Sequence, residues 1–136
     1  MNLSFIVIDE SDLDCFIAQK IIQFVYQSSS VMLYQNAMSA LETISNCNVI
    51  MDMPTIVLLD LQMPVMNGFE FVEAYEQLPL HVTEQYRIFI LSSTRNKRDI
   101  SRLLSFKSVN GIVEKPLTKE KIKKLVNLDL FGVNYL

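Results

Sequence analysis

Glycine and proline are scarce in this chain, three and four among 136 residues, a level that excludes collagen-like, low-complexity and disordered chains. Cysteine is scarcer still. Cys15 and Cys47 are the only two; they lie far apart, inside segments of helical periodicity, so a metal knuckle or a redox Cys-x-x-Cys pair is excluded and both read as small buried hydrophobes. The longest aliphatic or aromatic runs, such as Phe5 to Ile8, Ile56 to Leu59 and Ile88 to Leu91, are four residues long, far short of a bilayer span. Met1-Asn2-Leu3-Ser4 carries no basic stretch ahead of an apolar one, so no secretory signal is read and a cytoplasmic location is expected. A surplus of Lys and Arg is missing too: the net charge is -3 and the pI near 5.1. That balance argues against a protein that neutralises nucleic-acid phosphates and points to proteins or small ligands as partners. Histidine occurs once, at His81, in an expected loop between Pro79 and Thr83, where it is unremarkable.

What is present is a core-forming composition, half apolar and one fifth charged, at the length of one domain. A single domain over residues 1–136 is expected, with no fused output domain. Four short runs rich in β-branched residues read as strands: Phe5 to Ile8, Thr55 to Leu59, Arg87 to Leu91 and Gly111 to Glu114, with a weaker fifth at Val31 to Tyr34. Their continuous apolarity is the pattern of strands covered on both faces. Helical segments lie between them. Ser11 to Gln27 carries Leu13, Ile17, Ile21, Phe24 and Val25, and Asn36 to Ile50 carries Met38, Leu41, Ile44 and Cys47, both at a period near 3.6. Asn67 to Leu78 ends at a proline; Asn96 to Phe106 turns Ile100, Leu103 and Leu104 inward; Thr118 to Leu128 does so with Ile122, Leu125 and Val126. Asn96 and Thr118 are suited to cap their helices. Five alternations give a flavodoxin-like (βα)5 fold, a parallel sheet of order 2-1-3-4-5 with helices on both faces. In such sheets ligands bind beyond the carboxyl ends of the strands, here between the first and third.

That edge is where the chemistry-bearing residues fall. The first strand runs into Asp9-Glu10 and the third into Asp60, so three carboxylates are expected to converge. Like charges about 4 Å apart repel by roughly 4 kcal/mol at an effective dielectric near 20. A hard divalent ion relieves this, and Mg²⁺ suits a few carboxylates plus a carbonyl, waters and a phosphate oxygen. The fourth strand runs into Ser92-Ser93-Thr94 and the fifth into Lys115-Pro116. A hydroxyl and an ammonium facing a carboxylate and a metal are the parts that hold a transferred phosphoryl group, with Asp60 as nucleophile.

The stretch Ile56-Val57-Leu58-Leu59-Asp60-Leu61-Gln62-Met63-Pro64-Val65-Met66-Asn67-Gly68 resembles the phosphoacceptor strand and D-x-x-M-P-x-M-[DN]-G loop of the receiver domains of bacterial two-component response regulators, of the stand-alone, chemotaxis-regulator-like kind. Asp9-Glu10, Ser92 and Lys115-Pro116 follow at family spacing. The resemblance implies that Asp60 takes a phosphoryl group from the phosphohistidine of a sensor histidine kinase or histidine phosphotransfer protein. It further implies Mg²⁺ held by Glu10, Asp60 and the main-chain carbonyl of Gln62, with Asp9 acting through water, Ser92 and Lys115 on the phosphoryl oxygens, and a cis bond before Pro116. Three positions depart from the pattern: Glu10 is a methylene longer than the usual Asp, Gln62 replaces a frequent Asn, and Ile112 stands where Tyr or Phe often serves as the switch.

Arg95, Lys97, Arg98 and Arg102 crowd the fourth predicted helix and Lys119, Lys121, Lys123 and Lys124 the fifth; solvated faces are the plain reading. In receivers those two helices and the fifth strand commonly meet a separate output partner, and the basic face selects an acidic one. Met63 and Met66 read as loop packing. Phe16 falls in the polar sector of the first helix with Gln19, Lys20, Gln23 and Gln27, a candidate contact for a kinase bundle. The leading expectation is a phosphoacceptor signalling module with no enzymatic activity beyond gaining and losing its own aspartyl phosphate. A pseudo-receiver that is never phosphorylated is the alternative. A haloacid-dehalogenase-type phosphatase needs an acid where Gln62 stands, and a flavin carrier needs a phosphate loop where Asp9-Glu10-Ser11-Asp12 would repel the ligand.

Overall fold

The computed structural model describes residues 3–47, 52–93 and 95–131, with side chains to residue 128. Its elements are β1 (Ser4–Ile8), α1 (Asp12–Val25), β2 (Ser30–Tyr34), α2 (Ala37–Ser45), β3 (Thr55–Asp60), α3 (Gly68–Tyr75), α4 (Leu80–Thr83), β4 (Tyr86–Ser92), α5 (Lys97–Ser105), β5 (Val109–Glu114) and α6 (Lys119–Phe131). The strands form one parallel sheet of order β2-β1-β3-β4-β5, the flavodoxin-like arrangement expected from the alternation.

Strand side chains alternate between two layers. Ile6, Ile8, Val57, Leu59, Ile88 and Ile90 pack with Ala40 and Ile44 of α2, Phe71 and Val72 of α3 and Leu103 of α5. Phe5, Val7, Ile56, Leu58, Phe89 and Leu91 pack with Cys15, Ala18 and Ile22 of α1 and with Ile122, Leu125 and Val126 of α6. β3 is buried along its whole length, as continuous apolarity predicts. The edge strands are partly exposed, because each has a neighbour on one side only.

The two edges differ. β5 carries a register shift between Ile88 and Phe89, where Asn110 Oδ1 accepts from the Ile88 amide at 3.2 Å, and it ends on a charged residue, Glu114. β2 is regular, with Met32 and Leu33 exposed, and no residue from Ile21 to Leu41 is charged.

Helix phase is where the sequence expectation fails. α1 turns Cys15, Ala18 and Ile22 inward and leaves Leu13, Ile17 and Phe24 at 65%, 44% and 67% exposure. Apolar residues occupy both sides of this helix, and the small ones face the sheet because they allow the closer approach. α2 likewise buries Ala37, Ala40 and Ile44 while Met38 is exposed, and α5 buries Leu103 while Leu104 is exposed and Ile100 half-buried. α2 ends at Ser45, so Cys47 is half-buried beyond it, and the expected continuation to Ile50 lies outside the described residues. α6 buries the three residues expected of it, and its start is held by Thr118 Oγ1 accepting from the Lys121 amide.

The expected loop around His81 is instead the helical turn α4. Pro79, with φ of -58°, presets the entry, Val82 is buried, and the Tyr75 hydroxyl donates to the Thr83 carbonyl at 2.8 Å. His81 itself is exposed. Tyr75 stacks with Phe71 and meets Tyr86 edge-on, with centroids 6.3 and 6.5 Å apart. Burial pushes the phenols of Tyr75 and Tyr86 well above their ordinary range, so both stay neutral.

Candidate functional site

Four strand ends meet at one edge of the sheet. Asp9 follows β1, where its amide donates to the Tyr34 carbonyl at 2.9 Å and its Oδ1 accepts from the Ser11 amide at 3.0 Å. Asp60 and Ser92 are the last residues of β3 and β4. Lys115 follows β5, its amide donating to the Ser92 carbonyl at 2.9 Å, and the Lys115-Pro116 bond is cis. Asp9, Ser92 and Asp60 are only 2%, 3% and 7% exposed.

Lys115 Nζ ties the edge together, 3.1 Å from Asp60 Oδ1 and 3.2 Å from Asp9 Oδ2. Burial raises the Asp60 carboxyl above its ordinary value and the charge of Asp9 raises it further; Lys115 and the Gln62 amide act in the opposite sense without cancelling the rise. Burial alone would lower Lys115, but Asp60 and Asp9 outweigh it and hold the ammonium above its usual range. Two buried carboxylates therefore share one cation.

The loop after β3 is shaped by close approach. A Cβ on Gly68 would lie 3.0 Å from the Leu61 Cα and 3.3 Å from the Asp60 carbonyl oxygen, so only glycine lets the start of α3 rest against the residue bearing the central carboxylate. The Met66 amide donates to the Pro64 carbonyl at 2.7 Å across Val65, whose φ is 67°, a γ-turn that strains a β-branched residue. Met63 is buried and Met66 half-buried against the core, both filling the loop as expected. Asn67 and Glu70 form a reciprocal capping box at the start of α3.

Of the three carboxylates expected to converge, the structure gathers Asp9 and Asp60. Glu10 is exposed and lines, with Gln62, Met63, Asn67 and Asp99, an adjoining cavity of about 470 Å³. Among the described residues no three His, Cys, Asp or Glu side chains form a group able to hold a metal. The third carboxylate near Lys115 is one the motif does not contain: Asp14 Oδ2, on α1, lies 3.8 Å from Nζ. Its place beside Cys15 and four residues before Ala18 was the available signal, had the inward face of α1 been phased on its small residues.

Ile112 pairs in register with Ile90, half-buried against the layer that holds Leu103. Phe16 is 53% exposed with Lys20 Nζ 5.2 Å from its ring, and the outward line of α1 is Leu13, Ile17, Lys20 and Phe24 rather than a polar sector. Thr94 lies outside the described residues. The expected solvated basic faces are engaged in part: Arg95, just before α5, pairs with Glu114, and Arg102 pairs with Glu73 and covers the Phe69 ring. Lys121 Nζ donates to the Glu114 and Pro116 carbonyls, and Lys119 lies over the Phe24 ring. No described helix is long and apolar enough to cross a membrane.

The sequence matches the family model of the response regulator receiver domain over residues 5–127. A response regulator receiver protein from Dyadobacter fermentans is 32% identical, with 92% of this chain and 95% of that one covered at a TM-score of 0.81. A two-component response regulator from Cytophaga hutchinsonii is 24% identical over 96% and 98%, at 0.83. The fold also matches the receiver domain of a sensor histidine kinase from Pseudomonas aeruginosa, described with a magnesium ion coordinated in its active site cleft, at 12% identity, 93% and 96% coverage and a TM-score of 0.74. No curated protein is significantly similar.

Proposed function

The chain belongs to the response regulator receiver domain family, and on that footing we propose that it is a phosphoacceptor signalling module in which Asp60 takes a phosphoryl group from a phosphohistidine. The observation that carries the reading is the placement of Asp60: a carboxylate at the end of the central strand, almost buried, 3.1 Å from an ammonium and paired in register with Leu91, the residue before Ser92 on the neighbouring strand. In the transfer the P–N bond of the donor breaks as a P–O bond to an Asp60 oxygen forms, and the donor imidazole leaves neutral once protonated. Lys115 stays charged and neutralises the oxygens gathered there, and the Ser92 hydroxyl donates to them. The hydrogen bond that the Lys115 amide donates to the Ser92 carbonyl fixes where the lysine stem begins.

Mg²⁺ is the proposed cofactor. The donor chemistry fits it: two buried carboxylates share one ammonium, and Asp60 is raised by burial and then by the charge of Asp9, a site short of positive charge. Glu10 and Gln62 line the adjoining cavity. Asp60, Glu10 and the Gln62 carbonyl would hold the ion, with Asp9 through water, the remaining positions being left to water as Mg²⁺ prefers. When bound, the ion supplies charge neutralisation for the phosphoryl oxygens.

The proposed donor is a sensor histidine kinase or histidine phosphotransfer protein in the cytoplasm, meeting the exposed apolar line of α1 with Phe16 at its side. A separate protein would read the state from α5, β5 and α6. The chemistry would extend no further than Asp60's own phosphate. Ile112, β-branched and stiff at χ1, would change rotamer little, leaving the response to the loops after β3 and β4. Incubation with Mg²⁺ and a small acyl phosphate, read by intact mass, is expected to add one phosphoryl group to the wild type and none to Asp60→Asn. An unlabelled wild type that binds Mg²⁺ would establish the pseudo-receiver reading instead.

A further inference from the structure

Among the described residues Lys115 has three carboxylate neighbours where the phosphoacceptor chemistry uses two. Asp14 Oδ2 stands 3.8 Å from its ammonium, on the first turn of α1, where the Asp14 amide donates to the capping Ser11 hydroxyl at 3.1 Å. The side chain is half exposed, so it bridges the solvated face of α1 and the buried edge. Beside it opens a cavity of about 300 Å³ lined by Asp14, Ile17, Lys115, Pro116 and Leu117 among others, which gives the lysine head room to move between Asp60 and α1.

On the reading of Asp60 as phosphoacceptor, we infer that Asp14 is a positioning residue that draws Lys115 away from the phosphoryl group and so weakens the phosphorylated state. Phosphorylation turns a single negative charge at Asp60 into nearly two. Asp14 and Asp60 lie within 3.8 Å of one nitrogen, so the added charge meets Asp14 at close quarters and competes with it for the same cation. Asp14 opposes the product by direct repulsion and by holding a share of the ammonium. Its partial exposure limits the effect to roughly a threefold to tenfold change in equilibrium.

Beryllium fluoride with Mg²⁺, a phosphoryl mimic that adds one negative charge to the Asp60 carboxylate, measures that equilibrium directly. Titration followed by amide NMR is expected to give roughly threefold to tenfold tighter binding for Asp14→Asn and Asp14→Ser than for the wild type. Asp14→Glu, which restores the charge, should return to the wild-type affinity; a role in helix capping alone would not sort these variants by charge. Added salt should tighten binding in the wild type relative to Asp14→Asn, because screening weakens the surface charge. Equal or weaker binding by both neutral variants overturns the inference and leaves Asp60 as phosphoacceptor standing. A wild type that binds no beryllium fluoride overturns that reading and this inference with it.

Discussion

At the carboxyl end of the sheet two buried carboxylates outnumber their counter-ion, with Asp9 and Asp60 sharing Lys115. At the amino end the groups around α4 are neutral and matched: the Tyr75 hydroxyl donates to the Thr83 carbonyl, and Phe71, Tyr75 and Tyr86 pack ring to ring. Burying a matched neutral group is cheap and burying an excess charge is not. The first arrangement therefore costs stability, whereas the second holds α3, α4 and β4 together. One end is a site and the other a clasp.

Removing the shared cation breaks the contrast most severely. Lys115→Met is expected to lose about 3 kcal/mol at neutral pH, because two buried carboxylates are left facing each other. Denaturant titration should find that deficit shrinking as acid protonates Asp60, and the double variant with Asp60→Asn should recover much of it.

Asp60→Asn alone is expected to gain about 1 kcal/mol at neutral pH by removing the excess charge. The folded-state pKa of Asp60 is raised above its ordinary 3.8. The unfolded chain therefore gives up that proton first, and Asp60's contribution to stability, full below 3.8, is lost as pH climbs through the raised value. Stability profiles of wild type and variant should accordingly coincide in acid and separate upward from about pH 4; parallel profiles would contradict the assignment. Lys115, also raised, contributes stability that is present below about 10.5 and lost as pH rises through its folded value.

At the neutral end, Tyr75→Phe keeps the ring and removes one hydrogen bond to Thr83, so a loss of about 1 kcal/mol is expected, without the acid recovery that marks the Lys115 variant. Smallest of all, Arg95→Ala breaks an exposed pair with Glu114 and should change stability by less than about 0.5 kcal/mol. A larger loss there would show that the basic stretch leading into α5 is structural rather than solvated.

The charged end was legible in the sequence because a strand end is easy to locate: Asp9, Asp60, Ser92 and Lys115 each follow a run of apolar β-branched residues, and a parallel sheet carries all four to one edge. The neutral end was not. α4 has no amphipathic period in four residues, and its existence depends on Val82 filling the core and Tyr75 reaching Thr83, contacts no local pattern announces. Helix phase was misread for a related reason: Leu13 and Ile17 outrank Cys15 and Ala18 in hydrophobicity, but the sheet admits the smaller pair. Asp14 escaped notice with that phase.

The plain edge of β2 acts on a different scale. A strand of Ser, Val, Met, Leu and Tyr, with neither proline nor bulge and set in a stretch free of charge from Ile21 to Leu41, has the composition of a cross-β template. The opposite margin is protected by its register shift and Glu114; this one relies on dilution. Concentrated or partly unfolded chains will adhere along β2 first, so the colloidal weak point of the molecule lies on the margin of the sheet, apart from the acidic mouth at the strand ends.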